Sequence, residues 1–264
     1  MPTVRTLFVL ASVCAALAGC AGPGRWQPPE AALDEAGPVI EVGRFSRRVY
    51  PTGTQQEVAL PPGWKPYIIL PSKPRTEYAL VDTGHGVALE AKAAASASGL
   101  YRDVKIDLRR HPWVEWRWKV DDAVAGADKR IASREDSPAR LVITFHGDPQ
   151  NLDVGTRAKM RLIKAISGRE LPYATLMYVW SETHPPGTVI PNPHTDRIQM
   201  IVAGGGPQSI GRWESFRRNV IEDYKKAFDE DAWEVISVGV MTDADNTGDD
   251  AHAHYGDIWF MRAP

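Results

Sequence analysis

The sequence predicts an all-β domain with minor α content: an antiparallel jelly-roll β-sandwich with one or two helices packed on it. Short segments alternating between apolar and polar residues recur at hairpin spacing, about ten of them in all. Turn formers separate them, the chain holding 22 Gly and 21 Pro. Only two segments show a helical period instead. A closed barrel with a central cavity is the alternative that this pattern leaves open.

The amino terminus comes first. Arg5 precedes an apolar run, Leu7–Leu17, of signal-peptide length and too short for a lasting transmembrane helix. Leu17-Ala18-Gly19-Cys20 then resembles the lipobox of bacterial lipoproteins, in which the cysteine is acylated and becomes the first residue. The resemblance implies a signal peptide over 1–19, lipid on Cys20, and attachment to a membrane through that lipid. Ala21 stands where an aspartate would signal inner-membrane retention, so the expected location is the outer membrane, facing the periplasm. Two or three acyl chains make such an anchor durable, at about 0.8 kcal/mol per buried methylene. Residues 20–37, rich in Gly, Pro and Ala, read as a tether, with Trp26 able to dock as part of a packed arm. No second linker or repeat follows, and 38–264 reads as one domain.

Composition narrows the function. Lys and Arg number 31 and Asp and Glu 33; the signal holds one of the former and none of the latter, leaving 30 − 33 = −3. That balance gives no footprint for nucleic acid and no basic tail for anionic lipid. Of the two cysteines, Cys14 leaves with the signal and Cys20 carries lipid, so the mature chain has no disulfide and no cysteine metal site.

Within the domain, Tyr78–Val81 and Val87–Ala93 read as a hairpin across Asp82–Gly86. In the next strand Leu100, Arg102, Val104, Ile106 and Leu108 share one face. Trp113–Val120 places Val114, Trp116, Trp118 and Val120 inward and Glu115, Arg117 and Lys119 outward. Leu141–Phe145, Leu176–Trp180 and Ile198–Val202 continue the alternation. Val154–Ile166 has helical spacing with a basic outer face. Trp213–Phe228 reads as the strongest helix, with Trp213, Phe216, Val220, Ile221, Tyr224 and Phe228 on one stripe packed on the sandwich. Val235–Met241 is almost continuously apolar, as in a strand buried on both faces, and passes into an acidic loop and a closing strand.

The strings SASGLYRDVKIDL, PWVEWRWKV, ARLVITF, YVW, MTDADNTG and YGDIWF resemble a family of bacterial secreted proteins whose domain has no assigned function. The resemblance covers most of Arg44–Phe260. It implies a β-sandwich similar to carbohydrate-binding, galactose-binding-like jelly rolls, and transfers no activity. The segment Asp148–Pro172 is an insertion relative to such modules.

The candidate ligand groups follow from chemistry. Arg102, Glu115, Arg117, Asp136 and Arg140, with Asn246 and Asp257, offer forked donors and carboxylates suited to sugar hydroxyls; a solvated sheet face would hold the same residues. Asp243 and Asp245 open a loop resembling a calcium site, although His254 stands where an EF-hand needs glutamate. The bland reading is an Asx-rich turn. His252 and His254, two apart, would share one face of a strand and with a nearby Asp could hold zinc. There is no G-x-S-x-G, no H-E-x-x-H and no phosphate loop. Three functions stay open: a non-catalytic module for a saccharide-like or other polar envelope ligand, a structural envelope protein, and a glycoside hydrolase or lyase using a carboxylate pair.

Overall fold

The computed structural model describes residue 33 and residues 37–47, 60–167, 171–232 and 234–263. The expected signal peptide, Cys20 and nearly all of the tether lie outside the described residues. The strands in chain order are β1 (Val39–Gly43), β2 (Lys65–Ile68), β3 (Glu77–Asp82), β4 (Val87–Ala94), β5 (Ala97–Asp107), β6 (Trp113–Asp122) and β7 (Ser137–Phe145). After helix α1 (Val154–Ser167) come β8 (Ala174–Ser181), β9 (Val189–Pro191), β10 (Ile198–Gly205) and β11 (Trp213–Asn219). Helix α2 (Val220–Phe228) leads to β12 (Glu234–Asp243) and β13 (Asp250–Met261).

Two sheets face each other. The first runs β11-β6-β13-β4-β3 with β1 also on β13; the second runs β2-β5-β12-β7-β8-β10-β9. The chain crosses from sheet to sheet at β1–β2, β2–β3, β4–β5, β5–β6, β6–β7, β10–β11, β11–β12 and β12–β13, the winding of a jelly-roll sandwich. Pairing is antiparallel except between β8 and β10. Strand β13 is long enough to serve two partners on one edge: residues 250–255 pair with β4 and residues 258–261 with β1.

Alternation in β6 decides which way each side chain points. Val114, Trp116, Trp118 and Val120 are buried, and Trp113, Glu115, Arg117 and Lys119 point the other way, half-buried. The Trp116 ring sits 4.8 Å from that of Tyr178 on β8, so the two sheets meet ring to ring. Leu141, Ile143, Phe145, Leu176, Val238 and Val240 close the same core. Strand β12 lies between β5 and β7 in the middle of its sheet, which explains an apolar run interrupted only by Ser237 between Val235 and Met241.

The expected helix over Trp213–Phe228 is half strand. Residues 213–219 pair antiparallel with the free edge of β6, placing Phe216 opposite Trp116. Its ring lies 4.9 Å from both Trp116 and Trp118. Asn219 then caps α2, its side-chain oxygen accepting from the Ile221 and Glu222 amides. The spacing Trp213, Phe216, Val220 fits a helical stripe, and the inward period-two set Glu214, Phe216, Arg218 is masked because its flanking members are charged. An edge needing a partner and a strong N-cap six residues inside the run decide the outcome. Helix α1 matches its expected span and connects β7 to β8, on the sheet that does not carry the groove described below.

Candidate functional site

The outward residues of β6 and β11 form the floor of a groove on the outer face of the first sheet. It encloses about 530 Å³ and is lined by Ser46, Glu115, Trp116, Arg117, Ser215, Phe216, Arg217, Asp257 and Trp259. Register puts Ser215 beside Arg117 and Arg217 beside Glu115. Cross-strand diagonals then bring each arginine over a tryptophan. The Arg117 guanidinium carbon lies 4.7 Å from the Trp213 ring centroid, and that of Arg217 lies 4.9 Å from Trp113. Glu115 approaches Arg217 at 3.5 Å. Trp113, Trp213 and Trp259 are all half-buried; Trp259 lines the groove itself, and Trp113 and Trp213 lie under Arg217 and Arg117.

Gly256 explains how Arg117 lies down. A Cβ there would stand 2.4 Å from the Arg117 Cγ and Nε, so the arginine stem crosses β13 over a bare backbone. Asp257, at the bulge that follows, accepts from the Ser46 amide at 2.8 Å and also from the Ser46 hydroxyl. It therefore ties the segment after β1 to the groove wall.

The structure thus gathers Glu115, Arg117 and Asp257 into one groove and places the other sequence-derived candidates elsewhere. Arg102 on β5 is buried and donates to the Val42 carbonyl at 3.0 Å. Arg140 is buried on β7 and forks onto Asp243, with Nε–Oδ1 and Nη2–Oδ2 both at 2.8 Å. Burial works against its charge, but Asp243 and Glu135 outweigh this and hold the guanidinium firmly protonated. Asp136, fully buried, accepts from the amide and side chain of both Asn246 and Thr247, at 2.7–3.2 Å. Asp245 pairs with Lys73. Lys129 donates to the Asp136 carbonyl at 3.4 Å, and burial, with Arg140 beside it, pushes its ammonium down to about 8. Asp136, Asp243 and Asp245 are close enough together to share a cation, yet Arg140, Lys129 and Lys73 already face them.

Sequence reading missed Trp259 and Arg217 in the groove, and Trp113 and Trp213 under its arginines. Trp113 and Trp259 were legible as odd members of alternating strands. Trp213 and Arg217 were hidden by the helical reading of their segment.

No curated protein matches the chain. Solved structures similar to it include the glycoside hydrolase domain of Endo-D from Streptococcus pneumoniae R6, at TM-score 0.33 and 7% identity over 75% of this chain and 21% of that one. An agarase is similar at TM-score 0.31 and 11% identity, over 86% of this chain and 25% of that one. The family 11 xylanase from Neocallimastix patriciarum gives 0.29 and 10%, over 79% and 93%. The chain spans about a quarter or less of the first two proteins, and at these scores none bears on its activity. The family comparison is of a different kind: residues 62–259, well over half of the chain, match a family model, and the chain belongs to the family described as protein of unknown function (DUF3047).

Proposed function

We propose that the domain is a non-catalytic binding module for a saccharide-like polar ligand, held in the groove on the outer face of the first sheet. The observation that carries the reading is the row of half-buried indoles, Trp113, Trp213 and Trp259, interleaved with Arg117, Arg217 and Glu115. A sugar presents apolar C–H faces and a rim of hydroxyls. Flat aromatic surface takes the first, and forked donors beside a carboxylate take the second. The arginines are already immobilised on the indoles, which lowers the roughly 0.5–1.5 kcal/mol that each side chain frozen on binding would cost. Apart from Ser46, the groove residues come from strands, so their spacing is fixed by ladder register.

On the same reading the chain is tethered to the outer membrane through lipid on Cys20, the support being Leu17-Ala18-Gly19-Cys20 after an apolar core. Among the described residues no helix is long and apolar enough to cross a membrane. Fatty-acid labelling decides this part: label lost in Cys20→Ser supports the tether, and label retained there overturns it.

For the binding function, the purified domain is titrated against peptidoglycan fragments, outer-membrane polysaccharide and plant glycans. Binding that weakens in Arg117→Ala is expected. Binding unaffected by that change places the ligand elsewhere, and no binding at all leaves the structural-protein reading in possession.

A further inference from the structure

Outside the groove, the strongest cluster of unassigned chemistry lies further along the same face, where β4, β6 and β13 run side by side. Because β13 begins at Asp250, His252 and His254 are strand residues with side chains on one face. Glu90 of β4 is the register partner of His254. Glu90 Oε1 lies 2.9 Å from His252 Nε2 and 3.6 Å from His254 Nε2. The imidazoles are 4.9 Å apart, centroid to centroid. Bonds of about 2.0–2.1 Å at tetrahedral angles put zinc ligands roughly 3.3–3.4 Å from one another, so the two approaches to Glu90 bracket the required separation.

A second observation singles out this cluster. His254 is only 7% exposed, and its Nδ1 lies 2.8 Å from Asp121 Oδ2 on β6. Both atoms are buried and neither has a hydrogen-bond partner, while His252 Nδ1 stands 3.9 Å from the same Asp121 oxygen. Buried polar atoms of this kind are uncommon in native proteins and call for a cause. The remaining carboxylate oxygens are engaged: Glu90 Oε2 faces Lys92 at 3.0 Å and Asp121 Oδ1 faces Lys119 at 2.8 Å. One oxygen of each carboxylate is thereby turned towards the histidines.

We propose that Glu90, His252 and His254 form a binding site for zinc or a similar divalent transition metal, with Asp121 placed to hold the other ring nitrogen of His254. Two imidazoles and one carboxylate select against calcium and magnesium, which prefer all-oxygen shells. Three protein ligands leave an open coordination position. A carboxylate behind a ligating histidine fixes its tautomer and raises its basicity. Trp213, whose ring lies 6.4 Å from that of His254, also stacks under Arg117, so the site adjoins the groove.

The test uses the full chain, free of any affinity tag, stripped with a chelator and titrated with zinc against a chromophoric competitor. One equivalent of zinc is expected to bind, with calcium unable to displace it. His252→Ala and Glu90→Gln are each expected to weaken zinc binding at least about 100-fold, beyond the usual effect of outer-shell changes. Asp245→Ala, in the acidic loop, is expected to bind as the parent does. Circular dichroism identifies which variants are folded, and Glu90→Gln, nearly isosteric, gives the answer if His252→Ala is not. Failure of the parent to bind zinc, or parental affinity in a folded variant at either ligand, overturns the proposal.

Discussion

Arg117 lies over Trp213, its guanidinium carbon 4.7 Å from the ring centroid, across the ladder that joins β6 to β11. A pair of this kind contributes about 0.5–1 kcal/mol at an exposed site. Its larger consequence is geometric, since it fixes a donor fork and an aromatic face as one rigid unit at the groove wall.

That unit depends on Gly256. A methyl group there would meet the middle of the Arg117 stem at 2.4 Å, not its mobile tip. Gly256→Ala is therefore expected to lose about 1–2 kcal/mol in urea denaturation, in the range of overpacking, and to weaken ligand binding as Arg117→Ala does. Stability within about 0.5 kcal/mol of the parent would show that Arg117 swings aside freely.

Trp118 tests the opposite side of the same strand. It is 0% exposed and packs between the sheets against Trp116 and Phe216. Trp118→Ala should cost about 3–5 kcal/mol. A loss under about 1 kcal/mol with the fold intact would mean that β6 presents its faces the other way round.

Lys129 makes stability depend on alkaline pH. Below about pH 8 the folded and unfolded chains both hold its proton, and the folded chain bears the cost of the buried charge. Between about 8 and about 10.4 only the unfolded chain holds the proton, so it binds more protons and this group's contribution to stability rises with pH. Relative to Lys129→Met, the parent should gain up to roughly 3 kcal/mol across that window in denaturation curves. A pH-independent difference would show that the ammonium titrates normally.

Calcium should leave the protein unchanged. The carboxylates of Asp136 and Asp243 are engaged by the Asn246–Thr247 turn and by Arg140, and Asp245 is paired with Lys73. An ion entering among them must displace these partners and would meet Arg140, Lys129 and Lys73. Melting with and without calcium should coincide. A calcium-dependent rise would make Asp243 and Asp245 ligands after all.

The sandwich was legible because one face of most strands is apolar, and β6 displays the alternation over its full length. What was not legible was partnership. Whether residues 213–219 coil or extend depends on the bare edge of β6, which lies far away in sequence. The same blindness affected the charged residues. Arg140 and Asp136 have the composition of a groove, but their partners, Asp243 and the Asn246–Thr247 turn, come from roughly a hundred residues later and take them into the interior. The histidines were visible at their spacing of two; Glu90 and Asp121 join them only through the pairing of β4 and β6 with β13.

The most direct test of the binding face compares Trp213→Ala with the parent in calorimetric titrations of whichever saccharide the parent binds. Trp213 is half-buried on an edge strand, so its loss should cost little stability while removing both the stacking surface and the support of Arg117. The account predicts an affinity at least about tenfold weaker, about 1.4 kcal/mol, with a far-ultraviolet spectrum like the parent's. Unchanged affinity in the folded variant would contradict it.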